Sequence, residues 1–130
     1  MTQDIIEIFD VYSAKSVIGV SINEICTENN FYKAPDGTVC AWAEIYNASK
    51  YPADISGWGF SDDPKDPYKF SFPANVVLQS GERKIIFCDT AEHKDMQTAP
   101  LKFSEEENML VLTNRFGKEM DRVNFGKIEA

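Results

Sequence analysis

The acids carry most of the reactive chemistry in this chain. Asp62, Asp63 and Asp66 lie together in Asp62-Asp63-Pro64-Lys65-Asp66. Three carboxylates from one loop could gather a calcium ion, which takes roughly six to eight oxygens. Their spacing is not that of an EF-hand, and Lys65 stands among them, so a plain solvated turn is the preferred reading. Glu24 and Glu44 make a second pair. General acid–base hydrolysis needs two carboxyls close together in different environments. Both glutamates fall in strand-like runs with no substrate cleft outlined around them, so solvent-facing strand glutamates are expected. His93 is the only histidine and follows Cys88 by five residues. A thiol–imidazole pair would need the two to converge, and a histidine in a polar stretch is expected to be solvated. The chain has no Gly-x-Ser-x-Gly elbow, no phosphate loop and no Cys-x-x-Cys pair. These readings predict no catalytic residue and no cofactor, with calcium at Asp62, Asp63 and Asp66 as the alternative.

The aromatic residues suit recognition rather than reaction. Trp58 is expected in the core, where a large ring buries most area. Trp42 shares a strand face with Glu44 and divides evenly between core packing and an open platform for sugar or peptide. Phe31 and Tyr32 lie in a long loop, residues 27–39, and Tyr68 closes the loop at 61–68. The candidate partner-binding set is therefore Phe31, Tyr32, Trp42, Asp62, Asp63, Asp66 and Tyr68.

Charge and composition narrow the classes. The net charge is -8, and the nearest basic pairs are Arg83-Lys84 and Arg115 with Lys118. Nucleic acid needs a basic face that displaces counterions, so that class is disfavoured. Cys26, Cys40 and Cys88 each adjoin a strand-like run, and buried reduced thiols are expected. A Cys26–Cys40 bridge stays open, because it requires their strands to pair. Neither a signal peptide nor a membrane span is visible, which fits a cytoplasmic protein or a domain cut from a longer chain. Asn47-Ala48-Ser49 matches the glycosylation acceptor pattern.

Short strands must position these groups. With 130 residues, 43% of them hydrophobic and 12% aromatic, the chain suits one β-rich domain. Alternation places Val20, Ile22 and Glu24 on one face, and Ser21, Asn23 and Ile25 on the other. Ala43 and Ile45 oppose Trp42, Glu44 and Tyr46 in the next strand. Trp58 and Phe60 point one way after a bend at Ser56-Gly57. Pro64 and Pro67 mark a loop. Phe70 alternates with Phe72, and Val76 to Leu78 is short. Lys84 to Cys88 reads as a central strand. Thr90 to Pro100 reads as an exposed loop, and Leu101 with Phe103 as a short strand. Met109–Thr113 and Glu119–Phe125 form a hairpin with Gly117 near its tip. About eight or nine short strands result, an all-β sandwich or barrel. Residues 1–16 stand apart as an edge strand, a short helix or a linker, before a domain at 17–130.

Taken in order, Ile22-Asn23-Glu24-Ile25, Trp42-Ala43-Glu44-Ile45-Tyr46-Asn47, Ile55-Ser56-Gly57-Trp58-Gly59-Phe60-Ser61-Asp62-Asp63 and Lys69-Phe70-Ser71-Phe72-Pro73 resemble the lamin-tail domain, and its bacterial branch in particular. Leu78-Gln79-Ser80-Gly81-Glu82, Ile85-Ile86-Phe87, Leu101-Lys102-Phe103-Ser104, Val111-Leu112-Thr113-Asn114 and Asp121-Arg122-Val123 extend the likeness over about residues 17–126. The resemblance implies an immunoglobulin-like β-sandwich. It also implies a non-catalytic binding or adaptor module, accessory to a larger bacterial surface or secreted protein, with a protein or cell-surface polymer as partner. A calcium-dependent adhesion module, or a small hydrolase using paired carboxylates, is the alternative. The chain departs from the pattern at Ala41 and Ala43, where bacterial members commonly carry an acid and a larger aliphatic. It has no heptad rod, so the filament role of animal lamins is not implied.

Overall fold

Ala43 and Ile45 point inward from one strand, Ala41–Asn47, while Trp42, Glu44 and Tyr46 point outward. That strand is the middle of the larger of two facing sheets. The computed structural model describes residues 8–10, 19–27, 40–89, 98–103 and 108–125. Its strands are β1 (Ile8–Asp10), β2 (Val20–Cys26), β3 (Ala41–Asn47), β4 (Ala53–Asp54), β5 (Gly59–Ser61), β6 (Phe70–Ser71), β7 (Val77–Leu78), β8 (Arg83–Cys88), β9 (Thr98–Ala99), β10 (Asn108–Thr113) and β11 (Glu119–Phe125). One sheet runs β1-β2-β3-β8-β9, the second β11-β10-β5-β6, and β4 pairs with β7 as a small ribbon. All pairings are antiparallel except β8 with β9.

The architecture is the expected all-β, immunoglobulin-like sandwich. The core lies between the two sheets and gathers Ile22, Ile25, Ile45 and Ile86 from one with Phe60, Leu110 and Leu112 from the other. Such inward-facing apolar area supplies the main drive to fold. Among the described residues no helix is long and apolar enough to cross a membrane.

The structure corrects four details of the sequence reading. First, eleven strands are present among the described residues; the additions, β1, β4 and β9, are two or three residues long, too short to leave a periodic signal. Second, Ile25 does not share a face with Ser21. The β2–β3 register jumps between Ile22 and Glu24, so Asn23 is an extra, bulged residue. A bulge resets the alternation, and Val20, Ile22 and Ile25 all enter the core. Third, Thr90 to Pro100 is not wholly an exposed loop, since Thr98 and Ala99 form β9 and are buried. Fourth, Leu101 and Phe103 are not a strand, although Leu101 is buried and Phe103 packs against the core. Part of the N-terminal segment, Ile8–Asp10, is the edge strand beside β2.

A side chain also joins the sheets. The Ile22 N–H donates to Asp121 Oδ2 at 2.8 Å. Asp121 belongs to β11 in the opposite sheet, so one carboxylate satisfies a main-chain donor of β2.

Candidate functional site

The loop 61–68 is wound around a single hydroxyl. Ser61 ends β5 and is fully buried. Its Oγ donates to the Asp66 carbonyl at 2.6 Å, has the Asp63 carbonyl at 3.0 Å as a second acceptor, and accepts the Asp63 N–H at 3.0 Å. Asp63 Oδ1 then accepts the Lys65 N–H at 2.9 Å, the local turn that aspartate favours. Gly59 lets the end of the loop close down. A Cβ there would stand 2.4 Å from the Pro67 carbonyl oxygen and 2.5 Å from the Tyr68 ring.

Tyr68 ties this loop to the β10–β11 hairpin by donating its hydroxyl to the Asn114 carbonyl. Asn114 Oδ1 accepts the N–H groups of Phe116 and Lys118, each at 2.9 Å. The hairpin turn is thereby locked, and Phe116 projects from it at 80% exposure. The Arg115 guanidinium lies 4.9 Å from the centroid of that ring, a cation–π contact. Arg115 Cβ would stand 3.4 Å from a Cβ on Gly57, so the hairpin abuts the Ser56-Gly57 turn. There the Ser56 hydroxyl, and then its N–H, hold the Asp54 carboxyl below its ordinary range, with Arg115 adding to the effect. Loop 61–68, the 114–118 turn and the 56–57 turn thus share one surface.

The predicted site residues separate across the molecule. Asp62, Asp63, Asp66 and Tyr68 belong to this surface. Asp62 is engaged twice: Oδ1 takes Lys69 Nζ at 2.7 Å and Oδ2 takes the Lys102 N–H at 3.1 Å. That hydrogen bond holds the Lys69 ammonium above its ordinary pKa. Among the described residues no three His, Cys, Asp or Glu side chains are grouped to hold a metal ion. Trp42 is elsewhere, on the outward side of the larger sheet, where it packs with Cys26 and Phe87 at 4% exposure. Phe31, Tyr32 and His93 lie outside the described residues.

Glu24 and Glu44 are brought together as direct partners in the β2–β3 ladder. Like charges placed opposite each other repel, and neighbouring groups offset this at Glu44. Its Oε1 accepts Asn23 Nδ2 at 2.8 Å and pairs with Arg83 Nε at 3.3 Å. Arg83 in turn lies 4.6 Å over the Tyr46 ring. The result is an ion cluster on the sheet's outer face.

Asn47, the residue of the glycosylation pattern, is fully buried. Its amide nitrogen donates to the Tyr51 and Leu78 carbonyls at 2.8 and 2.9 Å. Its oxygen accepts the Ser49 N–H and hydroxyl at 3.0 and 2.7 Å. An amide with every position filled is a structural fastener, and the nitrogen a glycan would need is committed inside the fold.

Sequence reasoning missed Ser61, Gly59 and the Arg115–Phe116 tip. Ser61-Asp62-Asp63 does carry a signal for a hydroxyl-anchored turn. Phe116 carries none, because an aromatic beside a turn glycine usually folds back onto its strands.

The chain matches the model of the Lamin Tail Domain family over residues 13–127. No curated protein sequence matches it. The match spans most of the chain, which therefore belongs to the lamin-tail domain family.

Proposed function

We propose that this lamin-tail domain is a non-catalytic binding module, an accessory part of a larger bacterial surface or secreted protein. Its partner would be another protein or a cell-surface polymer. The observation that carries this reading is the surface built by loop 61–68 and the 114–118 turn. Ser61 and Asn114 fix the backbone of both segments before any partner arrives, and Tyr68 joins them. Preorganisation lowers the entropic cost of association. The rigid turn presents Phe116 and Arg115, residue types that anchor interfaces. Loops carried on a stable sandwich are the usual place for such recognition.

The family supports the domain type, while the compartment and the partner class belong to this proposal. The test is a peptide-display selection on the whole chain, counter-selected on a Tyr68→Phe, Phe116→Ala variant. Binders that lose at least tenfold affinity for the variant support the surface. Binders that ignore the variant and map by amide shifts to the outer face of β2, β3 and β8 refute it.

A further inference from the structure

The chain has three arginines, and two of them are spent on carboxylates. Arg83 pairs with Glu44 at 3.3 Å and Arg122 with Glu119 at 2.6 Å. Arg115 is exposed in the 114–118 turn and makes no ion pair or hydrogen bond with any described residue. Its contact is the Phe116 ring. Asp54 lies near enough for the two charges to interact, yet its carboxyl is turned to Ser56. Oδ1 accepts the Ser56 N–H at 2.9 Å, and the Ser56 hydroxyl donates to the same carboxyl while accepting the Val76 N–H at 3.0 Å.

Resting on the binding-module reading above, we propose that Arg115 and Phe116 receive a single carboxylate, presented by a segment of a partner protein in which one Asp or Glu stands beside a large apolar side chain. A guanidinium over a ring keeps its N–H donors at the ring's edge. That fork matches a carboxylate with two parallel hydrogen bonds. The ring also shields one face of the pair from water, which strengthens the charge-assisted bonds. The apolar neighbour is called for by the surroundings. Phe116, Val77 and Tyr68 are three of the five exposed large hydrophobic side chains among the described residues, and they adjoin Arg115. Val77 is the strand partner of Asp54, Tyr68 holds the Asn114 carbonyl, and Gly57 backs onto Arg115 Cβ.

Charge complementarity selects a protein segment over an anionic polysaccharide. The surface carries Asp54, Asp63 and Asp66 against Lys65, Arg115 and Lys118, three charges of each sign. It is therefore mixed and not a basic face. A polymer with a carboxylate on every unit meets those acids as well as Arg115, and the chain as a whole stands at -8. Like charges brought together across an interface suppress such a partner. One acid within a neutral or basic segment meets Arg115 alone and leaves the aspartates to the segment's own cations. A polysaccharide also lacks the large apolar side chain that Phe116 and Val77 would cover.

The probe is a random-peptide display library selected on the whole chain, with affinities then read by fluorescence anisotropy on synthetic copies of the selected peptides. The expected peptides share one Asp or Glu next to Phe, Leu or Trp. Arg115→Gln, at an exposed position, should keep the wild-type Tm and weaken them about tenfold. Changing the peptide's acid to its amide should weaken binding to the wild type equally, and binding to Arg115→Gln little further. Arg115→Lys keeps the charge without the fork and should recover only part of the affinity. Peptides that need Phe116 but lack the acid, or whose acid ignores Arg115→Gln, overturn the carboxylate and leave the binding surface standing. A selection without any peptide sensitive to Phe116→Ala overturns both. Polygalacturonate bound through Arg115 more tightly than any peptide would move the carboxylate to a polysaccharide and overturn the protein partner.

Discussion

Gly59→Ala tests whether loop 61–68 is held in the geometry described. The added methyl would lie 2.4 Å from the Pro67 carbonyl oxygen and 2.5 Å from Tyr68 Cδ1. Relaxed contacts need about 3.5 Å, so the end of the loop must lift by roughly 1 Å. The φ of Gly59 is outside the left-handed region, so backbone strain contributes nothing. A 1 Å lift would stretch the 2.6 Å bond from Ser61 Oγ to the Asp66 carbonyl beyond hydrogen-bond range, roughly 3.2 Å. Overpacking costs about 1–3 kcal/mol, and a lost bond to a buried hydroxyl about 1 kcal/mol more. Alanine returns about 0.5 kcal/mol by stiffening the unfolded chain. The net loss is about 1.5–3.5 kcal/mol, or roughly 10 °C in Tm for a domain of this size. Urea denaturation with an unchanged m-value would read it, and amide exchange should quicken at Asp63 and Asp66. Gly81→Ala is the contrast: it meets nothing within 4 Å, but its φ is 77°, so it should cost only about 1 kcal/mol of backbone strain. A Gly59→Ala protein within about 0.5 kcal/mol of wild type, with exchange unaltered, would refute the close approach of the loop.

Asp121→Ala should cost about 2 kcal/mol by urea denaturation, because it strips the acceptor from the buried Ile22 N–H. Asp121→Asn keeps an acceptor oxygen and should cost less than half as much. Asn47→Ala should destabilise by about 2–4 kcal/mol, since it removes both donors to the Tyr51 and Leu78 carbonyls and leaves a small cavity. Calcium at millimolar concentration should leave Tm unchanged, because Lys69 and the Lys102 amide already occupy Asp62; a rise abolished by Asp63→Ala would revive the adhesion alternative. Burial holds the Cys88 proton in the folded state well above the ordinary thiol range. Above the ordinary thiol pKa of about 8.5 the unfolded state releases this proton first, so stability should fall by up to about 1.4 kcal/mol per pH unit. Cys88→Ala should flatten that alkaline limb, and an unchanged limb would show that other groups cause it.

The strand pattern was readable wherever an apolar alternation ran unbroken through a ladder. β3 is the clear instance: Ala43 and Ile45 face the core as their spacing predicts, and Trp42, Glu44 and Tyr46 face away. The β10–β11 hairpin was equally plain from its turn residues. Period two fails once a ladder takes in an extra residue, and nothing in Ile22-Asn23-Glu24-Ile25 announces that Asn23 is bulged. β9 was hidden for a different reason. Its two residues become a strand only by parallel pairing with β8, a long-range event with no local signature. At the candidate site, the 61–68 loop and its acids were visible from the prolines and aspartates. Its organising hydroxyl and its union with the 114–118 turn were not, because both depend on contacts between distant segments.

Polar groups in a sandwich interior need partners, and several here find them in the backbone of loops and of the opposite sheet. Asn47 spends its amide on the Tyr51 and Leu78 carbonyls, Ser61 its hydroxyl on the 63–66 backbone, and Asp121 a carboxylate oxygen on β2. Asp62 and Asp63 are occupied in the same way, by Lys69, the Lys102 amide and the Lys65 amide. The acids that seem reactive in the sequence are thus largely consumed in holding the fold. What the same surface presents outward is an exposed aromatic with a guanidinium across its ring, Phe116 and Arg115. Most of the hydrogen bonds that build this end of the sandwich thus come from its acids, its serine and its asparagine, while the aromatic and the guanidinium stand outside them.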